Sequence, residues 1–478
     1  MSSAASDQSP GATSTTETSP TPSTSTNRRQ PFGQGFLDTI STGWADRPES
    51  TPPARPQAQF AAARREAVSA AFPGRRLVVP AGELKQRSND TDYPFRAHSA
   101  FAHLTGWASD SEPGAVLVFD PRAGGGHDVT LYFRERADRT TSEFYSDASI
   151  GEFWIGPRPA LAGVAADLGL ATAHIDDFEE GDGDVVLGES DDLARFVSEL
   201  RLVKDVYEIG QMELAVQVTA SGFDDIVARL PEIVEHARGE RVVEGVFHQR
   251  ARSDGNTVGY DTIAASGPHA CYLHWTRNDG AVVPGDLILI DAGVEVDSLY
   301  TADITRTLPV SGRFTEVQRR VYETVREAAD AAFAAARPGV RFRSIHEAAM
   351  EVIARRVAEW GLLPVTAEEA LDADRGGQHR RYMVHGTSHH LGIDVHDCAQ
   401  ARRDMYYDGV LEPGMVFTIE PGLYFQIDDL TVPEEYRGIG VRIEDDILMT
   451  AEGPVNLSAA IPRTADEVEA WIARGGSH

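Results

Sequence analysis

The sequence predicts an α+β protein with two folded parts, and three observations lead there. A ten-residue stretch, Pro284-Gly-Asp-Leu-Ile-Leu-Ile-Asp291-Ala-Gly293, recurs 129 positions later as Pro413-Gly-Met-Val-Phe-Thr-Ile-Glu420-Pro-Gly422, with the Pro-Gly pair, the carboxylate and the closing glycine at matched offsets. Between the two copies lie segments of helical periodicity, which implies a domain built as two similar halves. Upstream of residue 205, short strand patterns alternate with short helical ones, which reads as a smaller α/β domain.

Each element has a local reason. Residues 1–55 begin with a stretch of Ser, Thr, Pro, Ala and Gly and are expected to be a disordered tail, because such a composition cannot offset its ordering entropy. The α/β domain is expected over 56–204. It opens with a helical run from Phe60 to Ala71 and continues with two strands, Gly114 to Asp120 and Asp128 to Phe133, joined by a turn at Gly124 to Gly126. Leu161 to Leu168 and Leu193 to Leu200 read as helical. Asp205-Val-Tyr-Glu208 offers a capping box that opens the second domain, 205–478. Thr315-Glu-Val-Gln318 is a second box before a helix that closes at Pro338-Gly339, and Ser344-Ile-His-Glu347 is expected to open the next. Each repeat copy reads as a turn, an apolar strand, and an acid at the strand's end.

Composition narrows the function. A net charge of −30 leaves no basic stripe for phosphate contacts, so nucleic acid is not an expected partner. No apolar run approaches the ~20 residues that span a bilayer. Two cysteines, Cys271 and Cys398, cannot make a disulfide framework and suit a reducing cytoplasm. Of the basic residues only Lys85 and Lys204 are lysines.

A carboxylate directly after an apolar run is costly to bury unless something offsets its desolvation, and a metal ion does so. Five candidates stand in order: Asp291, Asp303, His389, Glu420 and Glu444. Asp303 follows Asp291 by enough residues for a hairpin to return beside it. Arg442 and Glu444, two apart, are expected on one strand face. Singly, each is an ordinary turn acid or surface histidine; the duplication makes matched acids at matched strand ends significant. Four carboxylates and an imidazole suit two hard or borderline divalent cations such as Mn²⁺. Such a pair, ~3.5–4 Å apart, would ionise a bridging water and clamp a carbonyl. His346-Glu347 begins like a zincin motif, but Met350 stands where the second histidine is required.

The segments Leu273-His-Trp-Thr276, Ile290-Asp-Ala-Gly293, Asp303-Ile-Thr-Arg-Thr307, His385-Gly-Thr-Ser-His389, Asp394-Val-His-Asp397, Ile419-Glu-Pro-Gly-Leu-Tyr424 and Tyr436 to Asp446 together resemble the Xaa-Pro aminopeptidases (aminopeptidase P) of the pita-bread metallopeptidase family. The resemblance implies a C-terminal pita-bread domain with an internal pseudo-twofold repeat, preceded by a creatinase-like α/β domain. It implies a dinuclear centre, usually manganese, on Asp291, Asp303, His389, Glu420 and Glu444, with Asp303 and Glu444 bridging and Glu420 handling the proton of the attacking metal-bridging hydroxide. By the same resemblance His274 and His396 would contact the scissile carbonyl and the oxyanion. His385 would position the substrate, Arg442 would orient Glu444 and assist proton movement, and Tyr424 would sit near the proline pocket. Two positions depart from the family pattern: His390 replaces a bulky aromatic and Thr387 a leucine, which bears on specificity and removes no ligand.

The expected activity is metal-dependent removal of an N-terminal residue that precedes proline. Prolidase, acting on Xaa-Pro dipeptides with the same five ligands, is the nearest alternative; the run from Val432 to Val441 favours aminopeptidase P. A catalytically inactive scaffold is a further alternative, whose signature would be a lost ligand. Peptide substrates, a cytoplasmic location, no membrane association and a homodimer or homotetramer complete the expectations.

Overall fold

Both copies of the repeat fold alike. In the computed structural model, which describes residues 32–47, 51–89 and 91–476, each Pro-Gly pair makes a tight turn whose glycine takes a left-handed conformation, Gly285 at φ 102° and Gly414 at φ 95°. A side chain there would be strained, so the glycines are required. The strand Leu287–Ala292 follows the first turn and Val416–Ile419 the second.

Each strand pairs antiparallel with a returning one: Leu287–Ala292 with Ile304–Pro309, and Val416–Ile419 with Asp445–Thr450. A third strand completes each sheet, Ile263–Ser266 beside Leu287–Ala292 and Gly453–Asn456 beside Asp445–Thr450. Two long helices precede each sheet in sequence, Val206–Ala228 and Gly239–Asp254 in the first half, Glu316–Ala335 and Ser344–Glu359 in the second. One apolar core runs through both halves and includes Ile288, Ile290, Val325, Ile353, Phe417 and Ile447.

The chain divides into two units. The larger takes in this duplicated region and a five-stranded sheet in the order Ala171–His174, His127–Phe133, Val116–Pro121, Leu77–Pro80, Val185–Val186, with antiparallel pairing inside and parallel pairing at both edges. Helices Ala58–Ala71, Leu161–Leu168 and Asp191–Leu200 bury Val68, Leu168 and Leu193 in its core. The smaller unit comprises, among the described residues, 32–47, Leu84–Pro94 and Ala137–Pro157. Within it the helix Gln34–Ile40 sets Phe36 edge-on against Tyr145 at 5.3 Å, and Arg47 pairs with Glu152 at 2.6 Å.

Two local expectations change. The helix Gln34–Ile40 lies inside the stretch expected to be a disordered tail; residues 1–31 and 48–50 of that stretch fall outside the described residues. Capping boxes form at Asp205 and Thr315, and the next helix opens at Ser344 as expected, with the Ser344 hydroxyl donating to the Arg341 carbonyl. Arg442 ends the strand Gly440–Arg442, whereas Glu444 lies in the break before Asp445–Thr450, so the two do not share one strand. Among the described residues no helix is long and apolar enough to cross a membrane.

Candidate metal centre

The duplicated topology delivers two pairs of acids. In the first half Asp291 lies near the end of its strand, opposite Thr305, and Asp303 immediately precedes the returning strand. In the second, Glu420 immediately follows Val416–Ile419 and Glu444 immediately precedes Asp445–Thr450. Each half therefore presents one acid where a strand leaves and one where its partner returns. His389 comes from a segment that runs alongside Val416–Ile419: the Thr418 amide donates to the His389 carbonyl (2.9 Å) and the Glu420 amide to the Thr387 carbonyl (2.8 Å).

Asp303, His389 and Glu444 each offer a ligand atom within 4.8 Å of the others. His389 Nε2 lies 3.3 Å from Asp303 Oδ2 and 3.5 Å from Glu420 Oε1. Asp291 joins the group through Tyr260, whose hydroxyl is 2.7 Å from Asp291 Oδ1 and 2.5 Å from Asp303 Oδ1. All five expected ligands thus occupy one neighbourhood. Asp291 differs in that its other oxygen is taken by Arg442.

The donor set fits cations. Burial raises the carboxyls of Asp291 and Glu444 above their ordinary values and pushes Glu420 up to about 7, and mutual repulsion among the acids adds to each. Burial alone would depress His389, yet Asp303 and Glu420 raise it to about 9. In protein atoms alone, the imidazole proton is the positive charge shared between these two acids. A divalent ion bound to neutral imidazole and ionised carboxylates would take that proton's place and relieve the repulsion.

Around the acids stands a hydrogen-bonded relay. Buried Arg442 donates from Nε to Thr305 Oγ1 (3.1 Å), from Nη1 to Tyr424 Oη (3.1 Å), and pairs with Asp291. The Thr305 hydroxyl in turn donates to Glu444 Oε2 at 2.7 Å. Arg442 thus reaches Glu444 through a threonine and acts directly on Asp291, a different connection from the one expected. Tyr424 Oη is 2.9 Å from His385 Nε2, and His385 Nδ1 is 2.7 Å from the Gly386 carbonyl. Burial and then Arg442 depress His385 to about 3. A neutral ring with its proton on Nδ1 accepts from Tyr424. The His396 ring packs edge-on against His389 at 4.3 Å. His274 is exposed, on the chain following Cys271.

Tyr260 stands outside every motif, whereas Thr305, Asp445 and Asp446 lie inside motifs that gave them no role. Tyr260 and Thr305 touch the acids only through the fold. Asp446 is fully buried and accepts the Asp303 backbone N–H at 3.2–3.3 Å, while Asp445 pairs with Arg306 and Arg463, both at 2.7 Å. The acidic triplet 444–446 thus sends three side chains to three different tasks. Both departures from the family pattern are accommodated. His390 is buried, held neutral by burial at a pKa of about 3, and stacked on Phe342 at 4.5 Å as an aromatic ring would be. The Thr387 hydroxyl is 2.8 Å from His346 Nδ1.

Residues 210–451 match the family described as Metallopeptidase family M24, and residues 61–186 match Aminopeptidase P, N-terminal domain. The chain belongs to metallopeptidase family M24. It is a metal-dependent peptidase, with an aminopeptidase P-type N-terminal domain ahead of a pita-bread domain. A Streptomyces coelicolor protein named Xaa-Pro aminopeptidase 1 is 50% identical to this M24 peptidase over 460 residues, 92% of each chain. Among solved structures, Pseudomonas aeruginosa aminopeptidase PepP superposes with a TM-score of 0.76 at 32% identity, covering 89% of this chain and 100% of that one. Escherichia coli aminopeptidase P with the inhibitor Pro-Leu gives 0.75 at 31% identity, covering 89% and 99%.

Proposed function

We propose that this M24 peptidase is an Xaa-Pro aminopeptidase, hydrolysing the N-terminal Xaa-Pro bond of peptides at a dinuclear manganese centre held by Asp291, Asp303, His389, Glu420 and Glu444. The observation that carries the reading is the convergence of two topologically matched acid pairs and one imidazole, in a chain half identical to a named Xaa-Pro aminopeptidase over nearly its whole length. When bound, the ions would polarise the scissile carbonyl and acidify the attacking water.

The protein's own groups have distinct tasks in this proposal. Asp303 and Glu444, whose carboxylates reach His389, would help hold the ions. Glu420, beside the attacking water, would hold that water's proton on a carboxylate oxygen and pass it on. His274 and His396 would donate to the carbonyl oxygen as negative charge develops there. Neutral His385, fixed by Tyr424, would orient the substrate, and the buried Tyr424 ring would form part of the wall against the proline. Arg442 orders Asp291 directly and Glu444 through Thr305, and would assist proton movement between them.

The domain limits proposed are 56–204 for the N-terminal domain and 205–478 for the catalytic one, after a tail at 1–55. Two free, buried cysteines favour a cytoplasmic location, and a homodimer or homotetramer is the proposed assembly. Peptides carrying proline second are the proposed partners; membranes and nucleic acid are not. Hydrolysis of Arg-Pro-Pro beside Gly-Pro tests the reading. Release of Arg from the tripeptide with little dipeptide cleavage is expected. Cleavage confined to Gly-Pro would make the enzyme a prolidase, and no cleavage of either with any divalent metal would overturn the proposal.

A further inference from the structure

We propose that the N-terminal domain and the linker that follows it position His396, so that part of the catalytic apparatus lies outside the catalytic domain. The inference rests on the reading of His396 as a substrate-contacting residue. The residue after it, Asp397, is a buried carboxylate gripped at both oxygens: Arg201 Nε is 3.0 Å from Oδ1 and Lys204 Nζ is 3.2 Å from Oδ2, with all three side chains at most 5% exposed. Arg201 and Lys204 belong to the stretch joining the two domains. In a chain whose other cations are, Lys85 apart, all arginines, the single fully buried lysine is spent on this contact. The Lys204 amide also donates to the Gly414 carbonyl (2.8 Å), so the linker is docked on the turn of the second repeat.

The grip extends to both sides of His396. Upstream of it, Arg96 Nη2 donates to the Ile393 carbonyl (2.7 Å) and Ser99 Oγ lies 2.5 Å from Asp394 Oδ1. Downstream, the Gln400 amide donates to Ser198 Oγ (3.2 Å), and Arg402 pairs with Glu199 at 2.7 Å. The backbone between these anchors is constrained. Cys398 is held at φ +61°, unusual for a residue with a side chain, and a Cβ on Gly392 would run into Asp397 Oδ2. A non-glycine residue in that region persists only where its surroundings over-determine it. His396 is therefore an exposed ring on a short segment whose neighbours on both sides are fixed by residues 96–99 and 198–204. Opposing charges hold Asp397 below its ordinary value although burial alone would raise it, consistent with a permanently ionised anchor.

Lys204, Arg201 and Ser99 are positioning residues, and the test must separate positioning from general stability. kcat and KM for Arg-Pro-Pro are measured on the full-length metal-loaded enzyme for Lys204→Met, Ser99→Ala, His396→Ala and the two double variants. Misplacing a substrate contact by about 1 Å can cost on the order of 100-fold, so Lys204→Met should lose roughly 10- to 100-fold in kcat with KM little changed. Ser99→Ala should lose less, in the same direction. In the His396→Ala background neither change should lower kcat further, because the group being positioned is gone. Should Lys204→Met fail to fold, Ser99→Ala and its double variant decide the matter. Wild-type kcat in the foldable single variants, or an undiminished loss in the His396→Ala background, overturns the proposal while leaving the assignment of His396 intact. Wild-type activity of His396→Ala itself overturns that assignment, and the proposal with it.

Discussion

Tyr260→Phe removes one oxygen atom from the candidate centre and leaves the ring in place. The hydroxyl faces Asp291 Oδ1 at 2.7 Å and Asp303 Oδ1 at 2.5 Å, with a single proton shared between two acceptors. Burial, and then Asp291, Asp303 and Glu444, keep the phenol protonated far above its ordinary range, so it acts as a donor. A hydrogen bond to a charged acceptor contributes about 1.5–3 kcal/mol. At about 1.4 kcal/mol per tenfold, the variant should bind Mn²⁺ about 10- to 100-fold more weakly, the range found when groups that orient metal ligands are removed. Calorimetric titration of metal-stripped wild type and variant, with thermal unfolding measured alongside, reads this directly. An unchanged Kd in a folded variant would refute the view that Tyr260 sets the spacing of the two aspartates.

Arg442→Lys keeps the charge and loses the planar fork that serves Asp291, Thr305 and Tyr424 at once; kcat should fall about 10- to 100-fold, and wild-type kcat would contradict that role. Gly293→Ala would drive a Cβ into the Ala302 carbonyl, next to Asp303, and should destabilise by about 1–3 kcal/mol while weakening metal binding; an unaltered melting temperature would count against it. Buried Glu208 accepts from the Asp205 amide (2.8 Å) and the Tyr300 hydroxyl (2.7 Å) and lies 3.3 Å from Arg64, so Glu208→Gln should lose about 3–5 kcal/mol in urea unfolding. Burial pushes the Glu208 carboxyl up, but His103, Arg64 and the Asp205 amide bring it below its ordinary 4.5. Its stabilisation is therefore present above pH 4.5 and lost as pH falls through the lowered folded value. The variant should show a shallower loss of stability in acid, and identical acid limbs would contradict the linkage.

The repeat could be read from the chain because its signals are local. Pro-Gly demands a turn, an apolar run demands burial, and an acid at the strand's end stands out against both. The boxes at Asp205 and Thr315 are local in the same sense. The helix that opens at Ser344 is legible for the same reason. Contacts that depend on distant partners left no pattern. The helix Gln34–Ile40 packs Phe36 on Tyr145, more than a hundred residues away, and Thr305 reaches Glu444 only because two sheets meet. A strand break separates Arg442 from Glu444, so Arg442 meets Asp291 directly and Glu444 through Thr305, a route that no local spacing encodes.

The most direct test of the account follows Arg release from Arg-Pro-Pro while Mn²⁺ is titrated into metal-stripped protein. The account predicts no release without metal and a rise to a plateau at about two ions per chain, with Asp303→Asn and His389→Ala inactive throughout. Full activity in the stripped enzyme, or activity retained by both variants, would contradict the central claim that these acids and this imidazole form the hydrolytic centre.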